Sequence, residues 1–453
     1  MFQWNETHLY NATNGKTIGS WSSSSVSTDT RNIKRGDLFI AIKGTNFDGH
    51  DFVHEAFAKG AAAAVVSREN IKVFPMVVVT DTLKALHNMA SYYIKHLQAI
   101  VIAITGSVGK TTTKDMLYTV LSKCGISYAN IGNFNNHIGL PLTILSTPAN
   151  CEYLILEMGT SNKGEIAKLS KISNPNIAVI TNIGYAHIAN FPDVYALAQA
   201  KLEILHGIAS NGILLLNHDD RYYDYLLLHA HQTINKIVSF GTHPNATVRL
   251  LNLTKNYAGL NLEVKLNDNN IINFDLPIRR EQFIHSALAV AAVIQSLKLD
   301  LPKNAFDTFK IRQGRGDVHS IQYNGKHIYL IDDSYNASPT SMKAAIEDLG
   351  GYFHNRKIAL LGDMLELGNH GIKFHRALLD HIIDQKIDKV YTVGKIMIEL
   401  YKLLPDKIRG MHFTDANQLK TQLNNIINNN DTVLVKGSQL MNMDMIIEEF
   451  LRL

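Results

Sequence analysis

The sequence predicts an α/β fold in three domains: a central parallel-sheet domain with a phosphate loop (P-loop), a small N-terminal α/β domain and a C-terminal Rossmann-like α/β domain. Three observations lead there. At 453 residues the chain is too long for one core and fits about three domains. The segment Thr105 to Thr113, T-G-S-V-G-K-T-T-T, directly follows the apolar run Ala99 to Ile104. Strands also alternate with helices through two separate stretches, a pattern of crossover-connected parallel strands whose ligands gather at the strands' carboxyl ends.

The N-terminal domain, residues 1–98, carries short β-rich pieces at Leu38 to Ile42, Ala63 to Val66 and Met76 to Val79 around one helical stretch near Phe52 to Lys59. The central domain, 99–313, alternates strands (Ala99 to Ile104, Tyr153 to Glu157, Ile177 to Thr181, Gly212 to Leu216, Lys236 to Phe240) with helices after Lys110, Lys163, Pro192 and His218. Two-residue alternation between Ala246 and Leu276 predicts an antiparallel appendage. A helix from Gln282 to Leu297 and a short one near Lys303 to Phe309 close this domain. The C-terminal domain, 314–453, opens at G-R-G and turns a hairpin at Asn324-Gly325. Its strands run His327 to Ile331, Ile358 to Leu361, Lys389 to Val393 and Thr432 to Val435, with no G-x-G-x-x-G to bind a nucleotide alone.

Composition narrows the function. With 46% hydrophobic and 19% charged residues, the chain can bury a large core, which excludes disorder. A net charge of +4 without a long basic run excludes nucleic acid as the main partner. The two cysteines, Cys124 and Cys151, exclude a disulfide framework, fit a reducing compartment, and are read as buried structural residues. The start M-F-Q-W-N-E-T lacks a charged segment followed by an apolar one, and no apolar run approaches the ~18 residues of a membrane span. A cytoplasmic protein is expected.

The phosphate loop carries the chemistry. Gly106, Ser107, Val108 and Gly109 form a backbone cradle, and Lys110, Thr111 and Thr112 open a helix whose positive end faces anions. Lys110 can reach β and γ oxygens, and the Thr111 hydroxyl can ligate Mg²⁺. The alternative is an ordinary glycine turn with an exposed lysine, which the strand-to-helix placement disfavours. Glu157 ends the strand Y-L-I-L-E, as a metal-holding carboxylate or a surface acid. His187, in T-N-I-G-Y-A-H, lies on the same ligand edge. Lys201, in A-Q-A-K-L-E-I-L, reads from the residues alone as a solvated helix lysine. The cluster G-N-F-N-N-H-I-G (Gly132 to Gly139) forms turns or binds a polar substrate. In D-D-S-Y-N-A-S-P (Asp332 to Pro339), Ser338 as an N-cap explains part of the motif but not its two acids, Tyr and Asn.

Together with S-T-D-T-R, G-D-L-F-I-A-I-K-G, F-D-G-H-D-F, L-G-D-M-L-E-L-G and V-K-G-S, these motifs make the whole chain resemble the Mur ligases. Within them it is most similar to the subgroup that adds D-alanyl-D-alanine to UDP-N-acetylmuramoyl-tripeptide. The resemblance implies an ATP- and Mg²⁺-dependent ligase in the cytoplasm, acting as a monomer on those two substrates. It implies that Thr28, Arg31 and His50 serve the UDP-sugar, and Asn135 and Asn136 the peptide. Lys110 and Thr111 would serve ATP and Mg²⁺, with Glu157 and His187 at the metal sites. Lys201 matches a lysine that becomes carbamylated to hold a second Mg²⁺, which reverses the reading from the residues alone. Arg315 and Asp333 would contact the nucleotide, and Asp363, Glu366 and Lys436 would face the incoming substrate. Gln282 and Ser286 stand where the family pattern has asparagines, and Gln439 where it has arginine. Two other functions are weighed: a sibling ligase adding a single amino acid to a UDP-muramoyl peptide or glutamate to a folate, and an ATP-hydrolysing switch that makes no bond.

Overall fold

The computed structural model describes residues 2–68, 71, 74–256, 258–352 and 355–452. Its three larger sheets give a three-domain α/β fold. The N-terminal sheet has the order Lys16–Ile18, Met76–Val78, Ala63–Val66, Leu38–Ile40, Val26–Ser27. Two helices that the sequence reading did not anticipate pack on it, Glu6–Thr13 and Thr82–Ile94. The second has a local cause: Asp81 caps it by accepting from Lys84 N–H at 2.9 Å. Ala85, Leu86, Met89, Ala90 and Tyr93 are buried at helical spacing, the signature of one apolar stripe.

The central sheet has nine strands. From one edge they run Ser127–Ala129, Tyr153–Glu157, Ile100–Thr105, Ile177–Ile180, Ile213–Asn217, Ile237–Gly241, then Val248–Asn256, Gly259–Lys265 and Ile271–Leu276. The last three form the antiparallel appendage. Strand Ile100–Thr105 lies parallel between Tyr153–Glu157 and Ile177–Ile180, and the chain turns back past it. A crevice at the carboxyl end of such a switch point is where open α/β sheets bind ligands.

The C-terminal sheet has the order Asp317–Tyr323, Lys326–Asp333, Asp431–Lys436, Lys357–Gly362, Lys389–Val393, Arg409–Phe413. Its first pair is the hairpin, with Asn324 and Gly325 both at positive φ. Two expectations are corrected. Residues 303–309 are not a helix but successive turns closed by i to i+3 bonds such as Ala305 N–H to Pro302 C=O, because Ala305, Phe306 and Phe309 are all drawn into the core. Cys151 is buried, but Cys124 is exposed in the turn after helix Lys110–Leu121.

Candidate active site

The strand Ile100–Thr105 is buried almost throughout, and its exit geometry requires glycine. Gly106 sits at φ +148°, and a Cβ there would lie 1.9 Å from Thr181 Oγ1. The loop is then clamped by the neighbouring T-N-I-G. Ser107 N–H donates to Asn182 C=O at 3.0 Å, Val108 N–H to Asn182 Oδ1 at 2.9 Å, and Thr181 Oγ1 to Val108 C=O at 2.6 Å. Two loop N–H groups thus shape the loop itself. Those of Lys110, Thr111 and Thr112 open helix Lys110–Leu121, where first-turn N–H groups have no acceptor within the helix. Lys110 Nζ donates to Gly106 C=O at 2.8 Å. Burial pushes its pKa down, Glu157 pulls it back and Arg315 lowers it further.

Glu157 is 3% exposed, so it is no surface acid. It accepts from Thr111 Oγ1 at 2.8 Å and Asn135 Nδ2 at 3.0 Å. Burial alone would raise its pKa, but Lys110, Lys114 and these bonds hold it below the usual carboxylate range. Lys114 and Asn130 are structural parts the sequence reading missed. Lys114, fully buried, stands 3.8 Å from Glu157 and donates to Asn130 C=O at 2.8 Å. The Asn130 amide bonds both the N–H and C=O of Glu157 and the C=O of Phe134, tying the strand end to the Asn-rich loop. Asn136 Oδ1 caps Ile138 and Gly139 N–H groups, so Asn136 is a turn former and Asn135 a Glu157 partner. Nothing in the local sequence marks Asn130, between Ala129 and Ile131, and Lys114 reads as one more polar residue of its helix.

Lys201 corrects the solvated-lysine reading. Helix Val194–Leu202 buries residues around its circumference, and Lys201 is 2% exposed. Burial, and secondarily Lys110, push its pKa well below the ordinary lysine range. His187, at φ +62°, has Nδ1 against the Glu366 carboxylate of the C-terminal domain. Burial lowers its pKa, Glu366 opposing and the two lysines adding.

Lys110, Thr111, Asn135, Asn136, Glu157, His187 and Lys201 line one cavity of about 1130 Å³ between the central and C-terminal domains. Across it stand Arg315, whose guanidinium lies 4.3 Å from the Tyr335 ring centroid, and Asp333, paired with the buried Lys436 at 2.9 Å. Gln282, Ser286 and Gln439 also line it. The Gln282 amide oxygen, in the orientation that satisfies both partners, accepts from Arg280 Nη2 at 2.9 Å. Asp363 and Glu366 are absent from its lining, as are Thr28, Arg31 and His50. Asp363 is buried, its carboxylate taken by the N–H groups of Ile396 and Met397. Arg31 forms an exposed pair with Asp29. His50 is buried with Nδ1 on Asp48 and Nε2 accepting from Ser67 N–H at 2.9 Å, so its ring is fully used by the fold.

Among the described residues no group of three His, Cys, Asp or Glu side chains forms a metal cage. The adjoining Thr111 hydroxyl and Glu157 carboxylate are hard oxygen donors beside a phosphate loop. That set fits Mg²⁺, which uses one or two carboxylates and completes its shell with phosphate oxygens and water.

The chain matches the Mur ligase middle domain over residues 104–294, the Mur ligase, glutamate ligase domain over 314–439, and the Mur ligase family, catalytic domain over 23–103. It is 35% identical over 453 residues to the UDP-N-acetylmuramoyl-tripeptide–D-alanyl-D-alanine ligase of Rickettsia prowazekii, covering 99% of each chain. Its fold is similar to that of MurF from Acinetobacter baumannii, with TM-score 0.90, 28% identity and 99% of each chain covered. It is also similar to the MurF ligase from Thermotoga maritima in complex with ADP, with TM-score 0.83, 28% identity, and 94% and 96% of the two chains covered.

Proposed function

This chain belongs to the Mur ligase family, and from that premise we propose how its residues carry the reaction. It is an ATP-dependent ligase that joins D-alanyl-D-alanine to UDP-N-acetylmuramoyl-tripeptide in peptidoglycan synthesis. The observation that carries the assignment of roles is the single cavity in which the phosphate loop, Glu157, Lys201 and Arg315 meet. ATP and a UDP-linked substrate are solutes of the cytoplasm, so the reaction belongs there. No helix among the described residues is long and apolar enough to cross a membrane.

A carboxylate is a poor acylating agent. Its oxygen attacks the γ-phosphorus of ATP, ADP leaves with the electron pair, and an acyl phosphate results. The amine of D-alanyl-D-alanine then attacks the carbonyl carbon, phosphate departs, and the nitrogen loses a proton. Lys110 exchanges its Gly106 carbonyl for phosphate oxygens, and Arg315 adds charge from the opposite domain, which is positioning and electrostatic catalysis. Thr111, Glu157 and His187 would hold Mg²⁺, which neutralises phosphate oxygens when bound. Burial, and secondarily Lys110, favour the free amine of Lys201; its nitrogen adds to CO₂ and loses a proton, and the resulting carbamate is an anionic oxygen ligand. Asn135 orients Glu157 and, with Asn136, faces the peptide end. Thr28 and Arg31 serve the UDP-sugar, with His50 shaping that region. Asp333, held by Lys436, faces the nucleotide. Docking of the C-terminal domain excludes water from the acyl phosphate.

The test is phosphate release from ATP and Mg²⁺ with UDP-muramoyl-tripeptide, with and without D-alanyl-D-alanine, the product followed by mass. Release that needs both substrates, with a product heavier by the dipeptide less water, is expected. Release indifferent to them would indicate a switch, and a product made only with a single amino acid a sibling ligase.

A further inference from the structure

The motif L-G-D-M-L-E-L-G follows strand Lys357–Gly362, yet Asp363 and Glu366 do not line the cavity. Its bonding shows a different use. The Asp363 carboxylate accepts Met397 N–H at 2.6 Å and Ile396 N–H at 3.1 Å. Met364 N–H donates to His375 Nε2 at 3.0 Å, and Leu365 N–H to Ser438 Oγ at 2.8 Å. Three consecutive residues are thus pinned to the C-terminal domain.

Glu366 follows at φ +60°, a left-handed backbone that a residue with a Cβ adopts only where its surroundings impose it. The turn aims Glu366 at the central domain. Its C=O accepts Ala189 N–H at 3.0 Å, and its carboxylate meets His187 Nδ1. His187 is itself left-handed. Around this junction Gly368 packs on Ala189 and the Tyr185 and Phe374 rings meet at 4.4 Å with a 50° tilt. Two strained residues from different domains therefore meet at one ring nitrogen, and the histidine's other nitrogen is left for the cavity that His187 lines.

We propose that Glu366 is a positioning residue for His187. Carried on a rigid loop of the C-terminal domain, its carboxylate stands against Nδ1, favours the tautomer protonated there, and leaves the basic Nε2 for the reaction centre only when the two domains are docked. This rests on the ligase reading, in which His187 serves the metal site. It replaces the expectation that Glu366 binds the incoming substrate.

The test uses the full-length enzyme with Glu366→Ala and Glu366→Gln. In ¹⁵N-histidine NMR of the nucleotide-free protein, the His187 signals, assigned by their loss in His187→Gln, are expected to report the Nδ1–H tautomer in the wild type. They should report a tautomer mixture in Glu366→Ala. Binding of Mn²⁺ with ADP, followed by electron paramagnetic resonance, should weaken about 10- to 100-fold in the Ala variant, the usual effect of removing a carboxylate behind a metal-ligating histidine. It should return close to wild type in the Gln variant, whose amide oxygen still accepts. The KM for D-alanyl-D-alanine should not move. An unchanged His187 tautomer, or a raised dipeptide KM with unchanged Mn²⁺ affinity, would overturn the proposal. A wild type that forms no dipeptide adduct would instead overturn the ligase reading, and the tautomer readout does not depend on turnover.

Discussion

Replacing Arg280 with methionine is expected to loosen the docking of the C-terminal domain in a pH-dependent way. Arg280 precedes helix Ile284–Ser296 of the central domain and is 8% exposed. Its Nε and Nη2 each lie 2.6 Å from Oδ2 of Asp348, on helix Pro339–Gly350 of the C-terminal domain. Gly316 makes room, since a Cβ there would stand 1.4 Å from Arg280 Nη1. Burial pushes the Asp348 pKa up while Arg280 works against it. Removing the guanidinium strands a buried carboxylate, and breaking such a pair from one side costs about 3–5 kcal/mol. The carboxylate can escape by taking a proton, at about 1.36 kcal/mol for each pH unit above its ordinary pKa of ~3.9. That ceiling is about 4.2 kcal/mol at pH 7 and about 1.5 kcal/mol at pH 5. The expected loss of docking energy is therefore about 4 kcal/mol at pH 7, shrinking to no more than about 1.5 kcal/mol at pH 5. Fluorescence energy transfer between dyes on the two domains, with small-angle scattering as a check, reads the docked fraction. The double variant Arg280→Met/Asp348→Leu should recover most of it at pH 7. A single variant as docked as wild type at pH 7, or a loosening that acid does not relieve, would refute the reasoning.

Gly106→Ala forces a Cβ to within 1.9 Å of Thr181 Oγ1 in a backbone that costs a non-glycine residue about 1–3 kcal/mol. ADP affinity by calorimetry should fall at least tenfold, and unchanged affinity would mean that the loop can rearrange freely. Lys201 kept in bicarbonate should gain one CO₂ in native mass spectrometry and lose it on acidification. Lys201→Arg should show neither change, and a wild type that never gains the mass would count against the carbamate. Asp219 takes hydrogen bonds from Thr242 N–H and Oγ1, His243 N–H and His285, which outweigh its burial and hold its pKa far below the usual range. Because the folded pKa is depressed, its stabilisation is present above the unfolded value of ~3.9 and is lost as pH falls below it. Asp219→Ala should cost about 2 kcal/mol at pH 7 and converge with wild type in acid denaturation curves; parallel curves would show that Asp219 is not the titrating group.

What the sequence made legible was local. The hairpin at Asn324-Gly325 and the Ser338 cap complete their hydrogen bonds within a few residues, and Ser338 does accept from Ser341 N–H, while the phosphate loop declared itself by its local strand–glycine–Lys-Thr pattern. Glu157 and His187 were found because strand ends point at the crevice. Contacts that join distant stretches left no mark: Arg312 grips Asp115 across 197 residues, Arg280 grips Asp348 across 68, and Asn182 clamps Val108 across 74. Lys201 was misread from its helix because amphipathicity fails as a guide when both faces of a helix are covered. The helix near Lys303 was misread because short propensity yields to the burial of Phe306 and Phe309.

The charges at the cavity tie these contacts to function. Burial lowers the pKa of Lys110, Lys201 and Lys436, which line the cavity together with Arg315, Glu157 and Asp333. Low dielectric disfavours the charged form of a buried lysine, and a neighbouring cation disfavours it further. A triphosphate favours the charged form of a lysine it meets, Lys110 first. Lys110 and Lys201 belong to the central domain, while Arg315, Asp333 and Lys436 belong to the C-terminal one. A triphosphate that meets Lys110 and Arg315 therefore attracts both walls of the cavity at once. Nucleotide binding and domain docking then draw on the same electrostatic free energy, and the site becomes complete only in the state that excludes water from the acyl phosphate.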